Sequence, residues 1–318
     1  MKPDYQAIIA RSLSTYILPS DTLPELYSPI EYGLEAGGKR VRPMLALMAA
    51  RAVCGSVEPA VRPALGMEMF HNFTLLHDDV MDRSDTRRNR PTVWKKWDEN
   101  TAILSGDTML TLATKLISEV HDQVLRKVLD CFNDTAIEVY EGQQLDMNFE
   151  RRDDVTIPEY LEMIRLKTSV LLGASAKIGA LAAGGSTATA EALYDYGMDL
   201  GVAFQIQDDY LDVYGDPETF GKPIGGDILN GKKTFLTIHA LNSGFGDALR
   251  SLLDMPASQE KIDRVRELYD RAGIPTVCRE AIGSYTERAI SSLSHADIPE
   301  ESRDEFRRLA ENMVSRSR

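Results

Sequence analysis

Cysteine is scarce: Cys54, Cys131 and Cys278 are the only three in 318 residues, far apart and with no CxxC pair. An odd count at such spacing excludes a disulfide framework and offers no zinc pattern, so a reducing cytoplasm is the expected setting. Basic charge is also short, with 36 Lys and Arg against 49 Asp and Glu, a net charge of -13. A surface this acidic is not held to nucleic acid or anionic lipid by a general positive field, so any phosphate is bound locally. No run approaches the roughly eighteen apolar residues of a membrane span, and the opening MKPDYQAIIARSLSTYI is too polar for a secretory signal or an anchor. Strand-like alternation is almost absent, and so are low-complexity tracts and solenoid repeats.

What is present is helix. Hydrophobic residues make up 43% of the chain and charged residues 27%, enough apolar surface for a sizeable core. No stretch is irregular enough to mark a linker, so residues 1–318 are read as one domain of the all-α class. Helical periodicity predicts elements near 4–17, 43–54, 60–82, 99–120, 123–149, 157–183, 187–214, 230–242, 259–272, 275–293 and 299–315. Pro19, Pro24 and Pro29 predict a connector that no continuous helix can cross. The 60–82 segment is apolar on most sides, as a helix in the middle of a bundle must be, which makes its polar residues informative.

Two such helices end in the same acidic pattern, Asp78-Asp79-Val80-Met81-Asp82 and Asp208-Asp209-Tyr210-Leu211-Asp212, both DDxxD. Residues four apart share a helical face, so Asp78 and Asp82 point one way, as do Asp208 and Asp212. The first face extends back to Thr74 and His71, the second to Gln205. One copy alone is as well explained by a solvated helix end. Two copies after apolar helices point instead to divalent cations, because clustered carboxylates repel unless neutralised and hard oxygen donors select Mg²⁺ or Mn²⁺. Magnesium takes one or two protein carboxylates and completes its shell with water and phosphate, so facing clusters suggest a metal-bridged diphosphate. The cations are placed to match: Gly37-Gly38-Lys39-Arg40-Val41-Arg42 opening a helix, then Arg87-Arg88, Lys167-Thr168, Lys222 and Lys232-Lys233. Each alone reads as solvated surface; together with the acidic pairs they divide into a metal-held diphosphate and a directly held one.

In order along the chain, GGKRVRP (37–43), HNFTLLHDDVMD (71–82), RR (87–88), KTS (167–169), FQIQDDYLD (204–212), GK (221–222) and GKKT (231–234) resemble the trans-type isoprenyl diphosphate synthases. This is the family of farnesyl, geranylgeranyl and longer polyprenyl diphosphate synthases. The resemblance implies an antiparallel helical bundle around a deep central cavity, normally a homodimer. It implies condensation of an allylic diphosphate (dimethylallyl, geranyl or farnesyl) with isopentenyl diphosphate, with about three Mg²⁺ ions. By the same resemblance Lys39, Arg42, His71 and Arg88 would bind isopentenyl diphosphate, and Asp78, Asp82 and Asp208 would hold Mg²⁺, supported by Asp79, Asp209 and Asp212. Arg87, Lys167, Lys222 and Lys232 would bind the allylic diphosphate, with Thr168 and Gln205 near the developing allylic cation. No side-chain nucleophile is required, in keeping with the lack of a Ser/His/Asp or Cys/His arrangement; His77 is read as a packing or surface residue.

Below the first cluster a growing prenyl chain would run along the helix, where one turn of about 5.4 Å matches about one isoprene unit. Phe73, five residues before Asp78, and Thr74, four before it, are the expected ruler. One aromatic beside a smaller residue looks like a geranylgeranyl synthase; a farnesyl or a longer-chain synthase is the alternative. A class I terpene cyclase or head-to-head synthase would not need the GGKRVRP loop or the Arg pair. A non-catalytic partner subunit would be expected to lose the acidic clusters, and both are intact.

Overall fold

The computed structural model describes residues 3–16, 18–216 and 224–314. As expected, the described chain is helical apart from one two-residue antiparallel ribbon, Thr86–Arg87 paired with Arg90–Pro91. It forms two compact units: Met1–Asp134 with Ala174–Tyr194 and Ala296–Pro299, and Thr135–Gly173 with Asp195–His295 and Glu300–Arg318.

In the first unit, α1 (Tyr5–Thr15), α2 (Pro24–Glu35), α3 (Val41–Cys54), the short α5 (Val93–Lys96) and α6 (Glu99–Ile117) pack around the central α4 (Val61–Met81). Every residue of α4 from Pro63 to Phe70 is buried, including Glu68. Gly66 lets α6 come this close: a Cβ there would stand 2.6 Å from Ile117 and 2.9 Å from the Ala113 carbonyl oxygen. The α2 helix corrects the proline-connector expectation. Pro24 occupies the first turn, where its missing N–H is no loss. Pro29 does interrupt one backbone bond, but it and Ile30 are buried, and packing of that face outweighs the single lost bond.

The second unit is built on the C-terminal half of α7 (Asp122–Phe149), α8 (Ile157–Ile164) and most of α10 (Thr187–Tyr214), with α11 (Gly226–Leu229), α12 (Phe235–Leu241), α13 (Gly246–Leu253), α14 (Gln259–Arg271), α15 (Ile274–Ser292) and α16 (Glu300–Val314). Tyr160, Ile206, Leu236, Leu249, Val265, Tyr269 and Cys278 lie in its core. The expected 157–183 helix is instead α8, a π-helical turn at Arg165–Ser169, and α9 (Val170–Ala182). The 230–242 expectation likewise resolves into a turn followed by α12, which Thr234 caps by accepting from the Thr237 N–H.

Two glycines on α10 fix its distance from the π turn. A Cβ on Gly201 would lie 2.5 Å from the Ser169 Cα, and one on Gly197 would lie 2.6 Å from the Gly173 backbone. Gly197, Gly201 and Gln205 follow at intervals of four and share a face, so the glycines bring Gln205 against the element carrying Thr168.

Candidate active site

In the first unit the first acidic cluster closes α4. The Asp82 N–H bonds the Asp78 carbonyl oxygen at 2.8 Å, so the helical step that aligns these two residues is formed. Asp78 is half-buried and Asp82 exposed, whereas Asp79 turns inward and is 4% exposed. Burial pushes the Asp79 carboxyl up to about 6 against the lowering effect of Arg87, whose Nε donates to Asp79 Oδ1 at 2.8 Å. Asp79 thereby anchors the hairpin that carries the arginine pair.

That hairpin was not legible as β structure. Its loop residues, Arg88 and Asn89, both have positive φ (51° and 59°), which is the backbone of a tight two-residue turn, usually held by Asn-Gly or Asp-Gly. The ribbon is clamped by Tyr32, whose hydroxyl donates to the Pro91 carbonyl at 2.8 Å. Its ring also receives Arg90 at 4.0 Å and Lys96 at 3.8 Å. Arg88 then donates to the Gly37 carbonyl. At Gly38, with φ of 128°, a Cβ would stand 2.9 Å from the Arg88 guanidinium, so this position needs glycine both for its backbone and for its neighbour.

The result is a collection of positive charge. His71 has its pKa held well below the usual imidazole range, first by burial and then by Arg42, Arg88, Arg87 and Arg40. Arg42 is depressed to about 10, again mainly by burial, and its Nε is shut off from solvent without a hydrogen-bond partner. Arg40 is ion-paired with Glu68, a carboxylate 2% exposed that also accepts from Asn72. Of the four residues expected to bind isopentenyl diphosphate, the structure gathers Arg42, His71 and Arg88, together with Arg40 and Arg87. Lys39 is exposed, and its carbonyl accepts from Gln6. Phe73 is buried and stacks edge-on with His77 at 4.7 Å, while the Thr74 hydroxyl donates back to the His71 carbonyl. His77 fits its expected packing role, lying over Gly106 with Nε2 3.1 Å from the Ile103 carbonyl oxygen.

The second unit organises its residues around Asp209, which is 5% exposed and whose carboxyl burial raises to about 7. Thr168 Oγ1 donates to Gln205 Oε1 at 3.1 Å, and Gln205 Nε2 donates to Asp209 Oδ1 at 3.1 Å. Lys167, on the same π turn, reaches Asp146 at 2.5 Å. Asp208 is half-buried; Asp212 is buried and accepts from the Asp227 N–H at 3.0 Å. Lys232 is exposed with its Nζ 3.8 Å from Asp227, and Lys233 reaches Asp153 at 3.2 Å. Lys222 lies outside the described residues.

Among the described residues no group of three or more His, Cys, Asp and Glu is gathered closely enough to hold a metal ion alone. The donor chemistry nevertheless fits magnesium, which uses one or two carboxylates and leaves the rest of its shell to water and phosphate.

Sequence reasoning missed Gly142, Tyr160 and the π turn. The signal for Gly142 was available: a lone glycine within a long helical pattern usually has a packing reason. A Cβ at Gly142 would stand 2.3 Å from the Lys167 nitrogen and 2.7 Å from its Cα, which are backbone atoms that no rotamer change can move. Gly142→Ala is expected to lower stability by about 1–3 kcal/mol, read by calorimetry, and to weaken the Lys167–Asp146 pair. An unchanged melting temperature would show that the π turn can yield.

Helix ends bearing paired carboxylates, part-buried arginines and a lysine-bearing π turn are residue types suited to metal-held and directly held phosphate esters. A family model described as polyprenyl synthetase matches residues 23–272. The geranylgeranyl diphosphate synthase of Methanosarcina mazei is 41% identical over 308 residues, covering 94% of this chain and 92% of that one. The geranylfarnesyl diphosphate synthase of Natronomonas pharaonis is 38% identical, with 94% and 92% covered. A crystal structure of a geranylgeranyl pyrophosphate synthase, 40% identical, covers 100% of both chains with a TM-score of 0.95. The chain belongs to the polyprenyl synthetase family, the trans-type isoprenyl diphosphate synthases.

Proposed function

We propose that this chain condenses isopentenyl diphosphate with an allylic diphosphate, releases diphosphate, and makes chiefly geranylgeranyl diphosphate. It is an enzyme of the prenyltransferase class, as its relatives are, and the family depends on divalent metal ions. The observation that carries the reading is the part-buried group of arginines around His71, adjoining a carboxylate row on the same helix. Arg40 and Arg87 already have carboxylate partners, whereas the shielded Arg42 Nε has none, and an anionic ligand would supply it.

Asp78, Asp82 and Asp208 are assigned to Mg²⁺, with Asp79, Asp209 and Asp212 supporting them. Mg²⁺ held there would supply Lewis acidity toward the allylic diphosphate leaving group. Arg87, Lys167, Lys222 and Lys232 hold that diphosphate, while Lys39, Arg42, His71 and Arg88 hold isopentenyl diphosphate. Thr168 and Gln205 direct oxygen dipoles at the allylic carbon as positive charge develops there, and their hydrogen bond keeps those oxygens from reorienting. The double bond of isopentenyl diphosphate attacks that carbon, and the released diphosphate takes the proton, so no side-chain base is needed.

Phe73 is assigned as the floor for product length, with Thr74 beside it. Phe73→Ala is expected to shift the products to longer chains, seen by chromatography of the dephosphorylated alcohols; an unchanged distribution removes Phe73 from that role. Incubating the protein with labelled isopentenyl diphosphate and each of dimethylallyl, geranyl and farnesyl diphosphate tests the whole reading. Absence of any elongated product would overturn it, and a farnesyl or longer main product would correct its length.

A homodimer is also proposed. Ile103 and Leu104 on α6 are 39% and 58% exposed, an apolar pair suited to a second copy, and a monomer in sedimentation equilibrium would refute it. No helix among the described residues is long and apolar enough to cross a membrane. The free cysteines are the support for a cytoplasmic setting.

A further inference from the structure

Asp209 sits one residue from Asp208, yet both of its oxygens are engaged by protein. Oδ1 accepts from Gln205 Nε2 at 3.1 Å; Oδ2 accepts from the Tyr160 hydroxyl at 2.5 Å and from the Phe235 N–H at 3.2 Å. Three separate elements therefore meet on one carboxylate: α8, α10 and the first residue of α12. What they carry is the allylic side of the proposed site. The π turn with Lys167 and Thr168 follows α8 directly, Gln205 and Asp208 are on α10, and Lys232 and Lys233 immediately precede the start of α12.

We propose that Tyr160 is a positioning residue for the allylic diphosphate: its hydroxyl fixes the Asp209 carboxylate, and through it Gln205, Thr168 and the lysine-bearing turn before Phe235. The proposal rests on the functional reading above. Tyr160 is 2% exposed, so no solvent water stands ready to replace its hydroxyl, and its ring packs on Phe235 at 6.0 Å between centroids. With the hydroxyl removed, Asp209 keeps Gln205 on Oδ1 and the Phe235 N–H on Oδ2 but loses its shortest contact, so the carboxylate is less firmly oriented about its last side-chain bond. Gln205 is held by that carboxylate at its amide nitrogen and by Thr168 at its amide oxygen, so a turn at Asp209 disorients both. A core tyrosine that merely satisfies its own hydroxyl would have no such consequence. Its loss would lower stability and leave the kinetic constants of the folded protein alone.

The test is Tyr160→Phe in the full chain, which keeps the ring. The expected result is an unchanged far-UV CD spectrum and a fall of about tenfold in kcat/KM for the allylic primer, with KM for isopentenyl diphosphate within about twofold of the parent, since one buried charge-assisted hydrogen bond is lost. A thiolodiphosphate analogue of the primer, titrated calorimetrically with Mg²⁺ present, should bind about tenfold more weakly by the same reasoning. Unchanged constants, or equal loss for both substrates in proportion to the folded fraction, would overturn the inference. Asp208→Ala, assayed in parallel, separates the two levels. If it too retains full turnover, the reading of the site has failed; if it is inactive while Tyr160→Phe behaves as the parent, only the role of Tyr160 has.

Discussion

Asp78→Ala and Asp208→Ala are each expected to lower turnover by about a thousandfold or more, equivalent to about 4 kcal/mol of lost transition-state stabilisation. Both side chains are half-buried rather than built into the core, and both lie near the C-terminal ends of long helices that already hold their own backbone bonds. The helical CD spectrum and the melting temperature should therefore stay close to those of the parent, and removing a like charge from a crowded row could even raise stability. Asp79→Ala provides the contrast. It strips Arg87 of its buried partner and should loosen the 86–91 ribbon, so its loss of activity would come with a loss of stability. Steady-state assays with labelled isopentenyl diphosphate over a magnesium series separate these cases. Normal turnover in both alanine variants would end the metal-site assignment.

Arg42→Met is expected to move stability and function in opposite directions. In the protein without substrate, the Arg42 guanidinium is depressed to about 10 by burial and by Arg88, with only Glu68 opposing, and its Nε finds no partner. Burying an unpaired charge is unfavourable, and a well-packed apolar residue of similar length relieves that, so the variant should be more stable by about 1–3 kcal/mol. The sign follows from linkage. A basic group whose folded pKa lies below its unfolded one destabilises the fold at every pH below the folded value, and the penalty fades only above about 10, so it is fully present at neutral pH. Substrate reverses the balance, because a diphosphate supplies the missing anion. KM for isopentenyl diphosphate should accordingly rise by about 30-fold or more, the cost of removing one partner of a buried charged contact, with the allylic KM little changed. Calorimetry and two-substrate kinetics on the same preparation check both halves. A variant that is less stable and kinetically normal would show that Arg42 serves the fold and not the ligand.

Much of this was visible in the order of residues, for identifiable reasons. The 187–214 helix has the bounds its periodicity predicts, and both DDxxD rows fall near helix ends, because side-chain spacing along a helix is a local property. The π turn at 165–169 was not visible. Nothing in RLKTS departs from helical propensity; the extra residue is accommodated because Gly142 and Gly201 admit its backbone at distances no Cβ allows. Pro29 inside α2 is the same lesson with the opposite sign, a local rule outweighed by burial of the face around it.

The residue string alone sufficed for the all-helical class, the two acidic rows, the basic motifs and the family they resemble, since each depends on spacing within one element. Only folding decided that Asp79 and Asp209 turn inward to tie other elements down while Asp78 and Asp208 remain half-buried. Folding also decided that Arg88 sits on a left-handed hairpin turn beside Gly38, and that Tyr160 reaches Asp209 across 49 residues of chain. Those choices depend on which neighbour can satisfy a buried charge, and that neighbour is supplied by contacts distant in sequence, which no local pattern encodes.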